Sequence, residues 1–191
     1  ADDPSNNEAE NINTKAVKRG DTINYQVWLD TNQFDANNKD NIQSVGITDD
    51  YDEAKLEVKQ SDIKAYDGKT GADVTDKFDI SIANGVITAN LKAGFTKSLG
   101  DAENTQIIDT TKFEFGRYYK FVIPAKVTDG AYDGAEIENT AAQVVNYYNP
   151  TTKTVEKPNK PTEKRVNNVP TAIELIFGKT LNGRKLRDQE F

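Results

Sequence analysis

An all-β sandwich is the fold class that this chain predicts, on three observations. Apolar residues recur at every second position in several short runs. Turn dipeptides such as Asp67-Gly68 and Asn84-Gly85 separate those runs, and Asn-Gly between alternating segments is the strongest short hairpin signal. No helical periodicity is long enough to compete. About eight or nine short strands with frequent turns make two packed antiparallel sheets, with short helical turns in the loops.

The elements follow in order. Ile23, Tyr25, Val27 and Leu29 alternate with Asn24, Gln26 and Trp28, the period of a half-buried strand. Arg19-Gly20-Asp21 is the turn that delivers the chain into it. That tripeptide also matches an integrin ligand, but three residues match by chance often, and the turn is the plainer reading. Asp35 to Asn41 is polar, a loop or one helical turn. Ser44 to Thr48 is a strand that runs into the acidic cluster Asp49-Asp50-Tyr51-Asp52-Glu53. Short strands follow near Leu56–Val58, Ile63–Tyr66, Phe78–Ile82 and Val86–Leu91. Phe113 to Val127 is rich in aromatic and β-branched residues, and its strand is expected to end at Pro124. Glu136 to Tyr148 is the last good strand. Residues 1–149 are therefore expected to form the sandwich. Residues 150–170, rich in Pro and Lys, read as an extended linker. Residues 171–191 open a following domain or pack a strand back.

Composition narrows the chemistry. The chain has 191 residues, 24 Lys and Arg against 31 Asp and Glu, a net charge of −7, and no His, Cys or Met. Ser-His-Asp and Cys-His nucleophilic catalysis are excluded, as are disulfides and thiolate zinc sites. The acidic balance argues against nucleic acid as a partner. Carboxylate chemistry remains open. Glu114 with Asp109 is one formal glycosidase-like pair, but with so many acids such pairs occur everywhere. Tyr118-Tyr119 and Tyr147-Tyr148 are possible carbohydrate platforms; adjacent strand residues face opposite ways, so one of each pair belongs to the core.

Two residues carry a sharper reading. Period two places Asn139 on one face with Ile137, Ala141, Val145 and Tyr147. If that face is the core, an amide is buried among apolar neighbours. The plain reading is an Asn satisfied by backbone; the sharper one is that a Lys amine attacks the amide, expels ammonia and ties the last strand to the first. That reaction needs a dry carboxyl as proton shuttle, and burial both lowers a Lys pKa and raises a carboxyl pKa. In Val45-Gly46-Ile47-Thr48-Asp49, alternation continues the apolar stripe onto Asp49. Asp50, Asp52 and Glu53 are expected in solvent, with calcium as a competing reading that the spacing does not favour.

Several long runs resemble a known family. They are Tyr25-Gln26-Val27-Trp28-Leu29-Asp30, Val45-Gly46-Ile47-Thr48-Asp49-Asp50-Tyr51-Asp52-Glu53-Ala54, Lys92-Ala93-Gly94-Phe95, Phe115-Gly116-Arg117-Tyr118-Tyr119-Lys120-Phe121 and Ile137-Glu138-Asn139-Thr140-Ala141. Together they resemble the carboxy-terminal, isopeptide-forming repeats of the streptococcal antigen I/II surface adhesins, across about residues 12 to 168. The resemblance implies an immunoglobulin-like sandwich, non-enzymatic apart from a single self-directed cross-link, in the stalk of an exported adhesin. It also implies sortase anchoring to peptidoglycan outside this segment. Salivary or extracellular-matrix glycoproteins are the implied host partners, contacted through the stalk or, alternatively, by this domain itself. Bound calcium is common in such repeats. Asn139 matches the family's cross-linked Asn and Asp49 its assisting Asp; the family's Lys lies on the first strand, just after a Pro, where this chain has Pro4-Ser5-Asn6-Asn7. Lys15 is the nearest candidate. The segment Ile176 to Leu186 resembles instead the opening strand of a pilin-type domain, with Lys179 at the position that cross-links there.

Overall fold

Among the described residues, most of the alternating runs form strands. The computed structural model describes residues 16–32, 34, 41–100, 105–132, 134–149, 151–152, 154–156, 166–167, 180–181 and 184–185. Among them lie β1 (Thr22–Asp30), β2 (Ile42–Tyr51), β3 (Leu56–Val58), β4 (Lys64–Asp67), β5 (Phe78–Ala83), β6 (Val86–Leu91), β7 (Thr96–Ser98), β8 (Gln106–Ile108), β9 (Tyr118–Val127), β10 (Asn139–Asn149), β11 (Thr154–Glu156), β12 (Val166–Asn167), β13 (Thr180–Leu181) and β14 (Arg184–Lys185). Three short 3₁₀ turns, at Gln60–Asp62, Thr75–Lys77 and Ala93–Phe95, are the helical elements of the described residues.

Two five-stranded sheets form the sandwich. One runs β12-β1-β9-β3, with β4 also on β9; the other runs β11-β10-β2-β6-β5, and every pairing is antiparallel. The core lies between them. Ile23, Tyr25, Val27 and Leu29 point inward from β1, and Tyr119, Phe121, Ile123, Ala125 and Val127 from β9. They meet Val45 and Ile47 of β2, Ile87 and Ala89 of β6, and Ala141 and Val145 of β10. Aromatic packing closes one region, with Phe113 stacked on Tyr119 at 4.5 Å and Phe78 edge-on to Phe121 at 4.9 Å.

The expected turns are present. Asn84 and Gly85 both adopt positive φ, 52° and 75°, and join β5 to β6 in register from Ala83↔Val86. That is the backbone a two-residue hairpin of the primed type needs. At Arg19-Gly20-Asp21, the Gly20 amide donates to the Val127 carbonyl and Arg19 Nε to the Ala131 carbonyl at 2.7 Å. The tripeptide clasps the entry of β1.

Three expectations are overturned. Within residues 150–170, expected as an extended linker, Thr154–Glu156 pairs with β10 and Val166–Asn167 with β1, because the unpaired backbone groups of a sheet edge accept an added strand. The strand expected to end at Pro124 continues to Val127. On that side of β9, β4 pairs with residues 119–122 and β3 resumes at 125, so Pro124 falls at the break between two partners, where a missing N–H costs little. Tyr147 was expected to face inward with Asn139. The β2–β10 register shifts between Asn146 and Tyr147, so Tyr148 is buried and Tyr147 is half-buried. A bulge reverses which alternate residues face the core.

Gly46 shows how tightly β2 meets β6: a Cβ there would lie 2.0 Å from the Ala89 carbonyl oxygen. Gly46→Ala is expected to lose about 1–3 kcal/mol in urea unfolding. Gly94→Ala, with no atom within 4 Å of its added Cβ, should be neutral or slightly stabilising.

Candidate functional site

Strand register builds the site. Ala141 of β10 stands opposite Asp49 of β2, and Asn139 stands opposite Tyr51. Asn139 and Asp49 are therefore diagonal neighbours on the inner face, within reach of each other's side chains. Asn139 Nδ2 donates to Asp49 Oδ2 at 2.8 Å. Asp49 is 0% exposed and Asn139 8%. The alternation read from Val45 through Asp49 thus holds, and the structure brings two of the three expected site residues together. Lys15, the third, lies outside the described residues, as do Pro4 to Asn7 and Lys179.

Burial governs the electrostatics. Removal from water pushes the Asp49 carboxyl up to about 7; the Asn139 amide opposes that shift and the neighbouring Asp50 charge adds to it. Tyr25, on the facing β1, has its phenol pushed up as well, first by burial and then by the Asp49 and Asp52 charges. Asp49 Oδ1, Asn139 Oδ1 and the Tyr25 hydroxyl are buried and have no hydrogen-bond partner among the described residues. Each such atom costs roughly 1–3 kcal/mol. Tyr25 was read as core alone; its place opposite the acidic cluster comes from sheet packing, which the sequence does not display.

The neighbouring amine is committed elsewhere. Lys55 Nζ donates to the Glu136 carbonyl at 2.8 Å, pairs with Asp52 at 3.0 Å and sits 5.9 Å from the centre of the Tyr132 ring. Its pKa is raised, chiefly by the Asp52 hydrogen bond. A protonated, paired ammonium is a poor nucleophile.

The other candidates separate. Glu114 binds Arg117, while Asp109 accepts from Thr111 N at 3.0 Å and Thr111 Oγ1 at 2.6 Å. These are turn and ion-pair roles. Tyr119 is core and Tyr118 lies edge-on to Trp28 at 5.9 Å. Among the described residues no group of three or more carboxylates is arranged to hold a cation.

The two packed antiparallel sheets define an immunoglobulin-like β-sandwich. The model of the cell surface antigen I/II C2 terminal domain matches residues 2–159, and the chain belongs to that family. The aggregation substance of Enterococcus faecalis is 27% identical over 163 residues, covering 76% of this chain and 11% of that protein. The chain thus spans about a tenth of the length of that relative. Among solved structures, the major pilin subunit BcpA of Bacillus cereus superposes with a TM-score of 0.52 at 16% identity, over 84% of this chain and 36% of the pilin. Its D312A form gives 0.51 at 15%, over 85% and 37%. The pilin likeness is one of fold.

The buried carboxyl sets a pH dependence. Its folded pKa, about 7, lies above the ordinary 3.8, so the folded state holds the proton through that window and the unfolded state does not. Stability should therefore fall as pH rises from about 3.8 to about 7, by roughly 1.4 kcal/mol per unit at most. Urea unfolding at stepped pH should show this slope, and Asp49→Asn should flatten it.

Proposed function

We propose that this domain is a stalk module of a cell-wall-anchored bacterial adhesin, stiffened by an intramolecular isopeptide bond onto Asn139 with Asp49 assisting. The observation that carries the reading is the buried Asn139–Asp49 hydrogen bond, with an oxygen on each residue that has no partner among the described residues. Lys15 supplies the amine. Its neutral Nζ attacks Asn139 Cγ, a new C–N bond forms, the Cγ–Nδ2 bond breaks and ammonia leaves. Asp49 Oδ2 already lies at the departing nitrogen, where it can carry the proton from the attacking amine to the leaving group. The acid is regenerated and the chain turns over once. No external substrate is involved.

The mechanical consequence follows from the loop enclosed. A link from Lys15 to Asn139 closes more than 100 residues, stabilising by roughly 4–5 kcal/mol on the chain-entropy model for cross-links. For a tethered protein the greater gain is kinetic, since the ends of the domain cannot be drawn apart. Sortase attachment to peptidoglycan and contact with host salivary or matrix glycoproteins belong to the full-length adhesin in this reading.

Intact-mass measurement tests it. The chain should weigh about 17 Da less than its sequence, one ammonia, with a tandem spectrum joining the Lys15 and Asn139 peptides. Asn139→Ala and Asp49→Ala should each give the full sequence mass. An unmodified parent would leave an ordinary non-covalent sandwich.

A further inference from the structure

We propose that a cationic cleft between the β4 turn and the segment leading into β9 binds an acidic sugar, one carrying a carboxylate or a sulfate. The cleft encloses about 390 Å³, at the small end of the roughly 300–1,000 Å³ that ligand clefts occupy. Lys69, Lys77, Lys112 and Arg117 line it against two carboxylates, Asp67 and Glu114. The surplus is positive in a chain whose net charge is −7.

Both carboxylates are already engaged. Arg117 donates to Asp67 Oδ2 at 2.7 Å and also to Glu114. Asp67 Oδ1 accepts the backbone N–H groups of Lys69 at 2.8 Å and Thr70 at 3.2 Å. Burial would raise the Asp67 carboxyl, but Arg117 and those two amides hold it below its usual range, so it stays ionised and fixed. The lysines are different. Among the described residues neither Lys69 nor Lys112 has an ion-pair partner, and Lys77 Nζ reaches only the Lys112 carbonyl at 3.4 Å and the Phe95 ring at 5.5 Å. Three ammonium groups therefore line a polar recess with more positive than negative charge, although Asp109 lies close enough to Lys112 to feel its charge.

The remaining lining selects the ligand class. Glu114 keeps 64% of its side chain exposed and presents acceptor oxygen beside the cations. Thr70 adds a hydroxyl. Tyr119 is the one aromatic residue lining the cleft and is 2% exposed, so no apolar wall receives a hydrophobic side chain. Ammonium groups for an anion, with acceptors for hydroxyls, match a sugar that bears both. The net charge of −7 disfavours extended polyanions such as nucleic acid. The site shares no residue with the Asn139–Asp49 pair, so either proposal can fail while the other stands.

Titration of the full chain, followed by amide chemical shifts, tests the cleft. The probes are sialyllactose, 6-sulfo-N-acetyllactosamine, lactose and inorganic sulfate. One or both acidic sugars should shift amides at Lys69, Thr70, Lys112 and Arg117, and should bind at least about tenfold more tightly than lactose or sulfate. The arm that responds identifies the anion. Lys69→Glu with Lys112→Glu should abolish the shifts while leaving the thermal midpoint unchanged, and Lys92→Glu should leave binding intact. No response to either acidic sugar at millimolar concentration would overturn the proposal. So would equal binding of sulfate alone, or equal loss on Lys92→Glu.

Discussion

Exclusion of water from the space between the two sheets is the constraint on which the remaining properties depend. Asp49 is an ordinary acid by sequence; it becomes a near-neutral one because β2 turns it into the same layer as Val45 and Ile47. Asn139 enters that layer through its register with Tyr51. A slip of one residue by either strand of the β2–β10 ladder would put Asp49 and Asn139 on opposite faces and separate them. Hydration of an outward-facing Asp49 would return the carboxyl to its usual range and remove any reason for the amide to react.

A second polar contact holds the facing sheets in place. Gln143, two residues beyond Ala141 on the same inward row of β10, accepts from the Asp30 amide at 2.7 Å and donates back to the Asp30 carbonyl at 3.2 Å. This reciprocal pair ties β10 directly to the end of β1. It is fully satisfied, unlike the Asn139–Asp49 pair on the same row. Within one strand the fold therefore contains a polar staple that serves packing and a polar pair whose hydrogen bonding is incomplete.

Much of this was legible from alternation, and the exceptions have physical causes. The longer strands, the Asn84-Gly85 hairpin and the inward rows of β1 and β2 follow from period-two patterning, as does the burial of Asp49; the short β7, β8, β11 and β12 do not. Asn139 was legible for the same reason. The extension of β9 through Pro124 was not, because it depends on β3 and β4 dividing one side of that strand between them. The Tyr147–Tyr148 reversal depends on a bulge, which no composition rule locates. The cationic cleft escaped the sequence reading altogether. Lys112 lies 35 and 43 positions from Lys77 and Lys69, and the β4–β9 pairing brings Asp67 against Arg117.

The energetics of the seam favour a chemical explanation over a packing one. Stability alone would be served by an apolar pair at positions 49 and 139, since replacing buried polar partners with hydrophobic ones of like shape is often neutral or favourable. The chain instead keeps an acid, an amide and a phenol there with three unpartnered atoms among the described residues. Two of those atoms are oxygens of the Asn139–Asp49 pair, and both accept hydrogen bonds when the acid is ionised. What they call for is a donor. A neutral amine meets that need without bringing in bulk water, which would undo the raised pKa of Asp49. In the proposed reaction, bond formation would convert that local penalty into a covalent tie and release a small neutral product. An unfavourable arrangement held in place by the packing around it is a reason to look for function there.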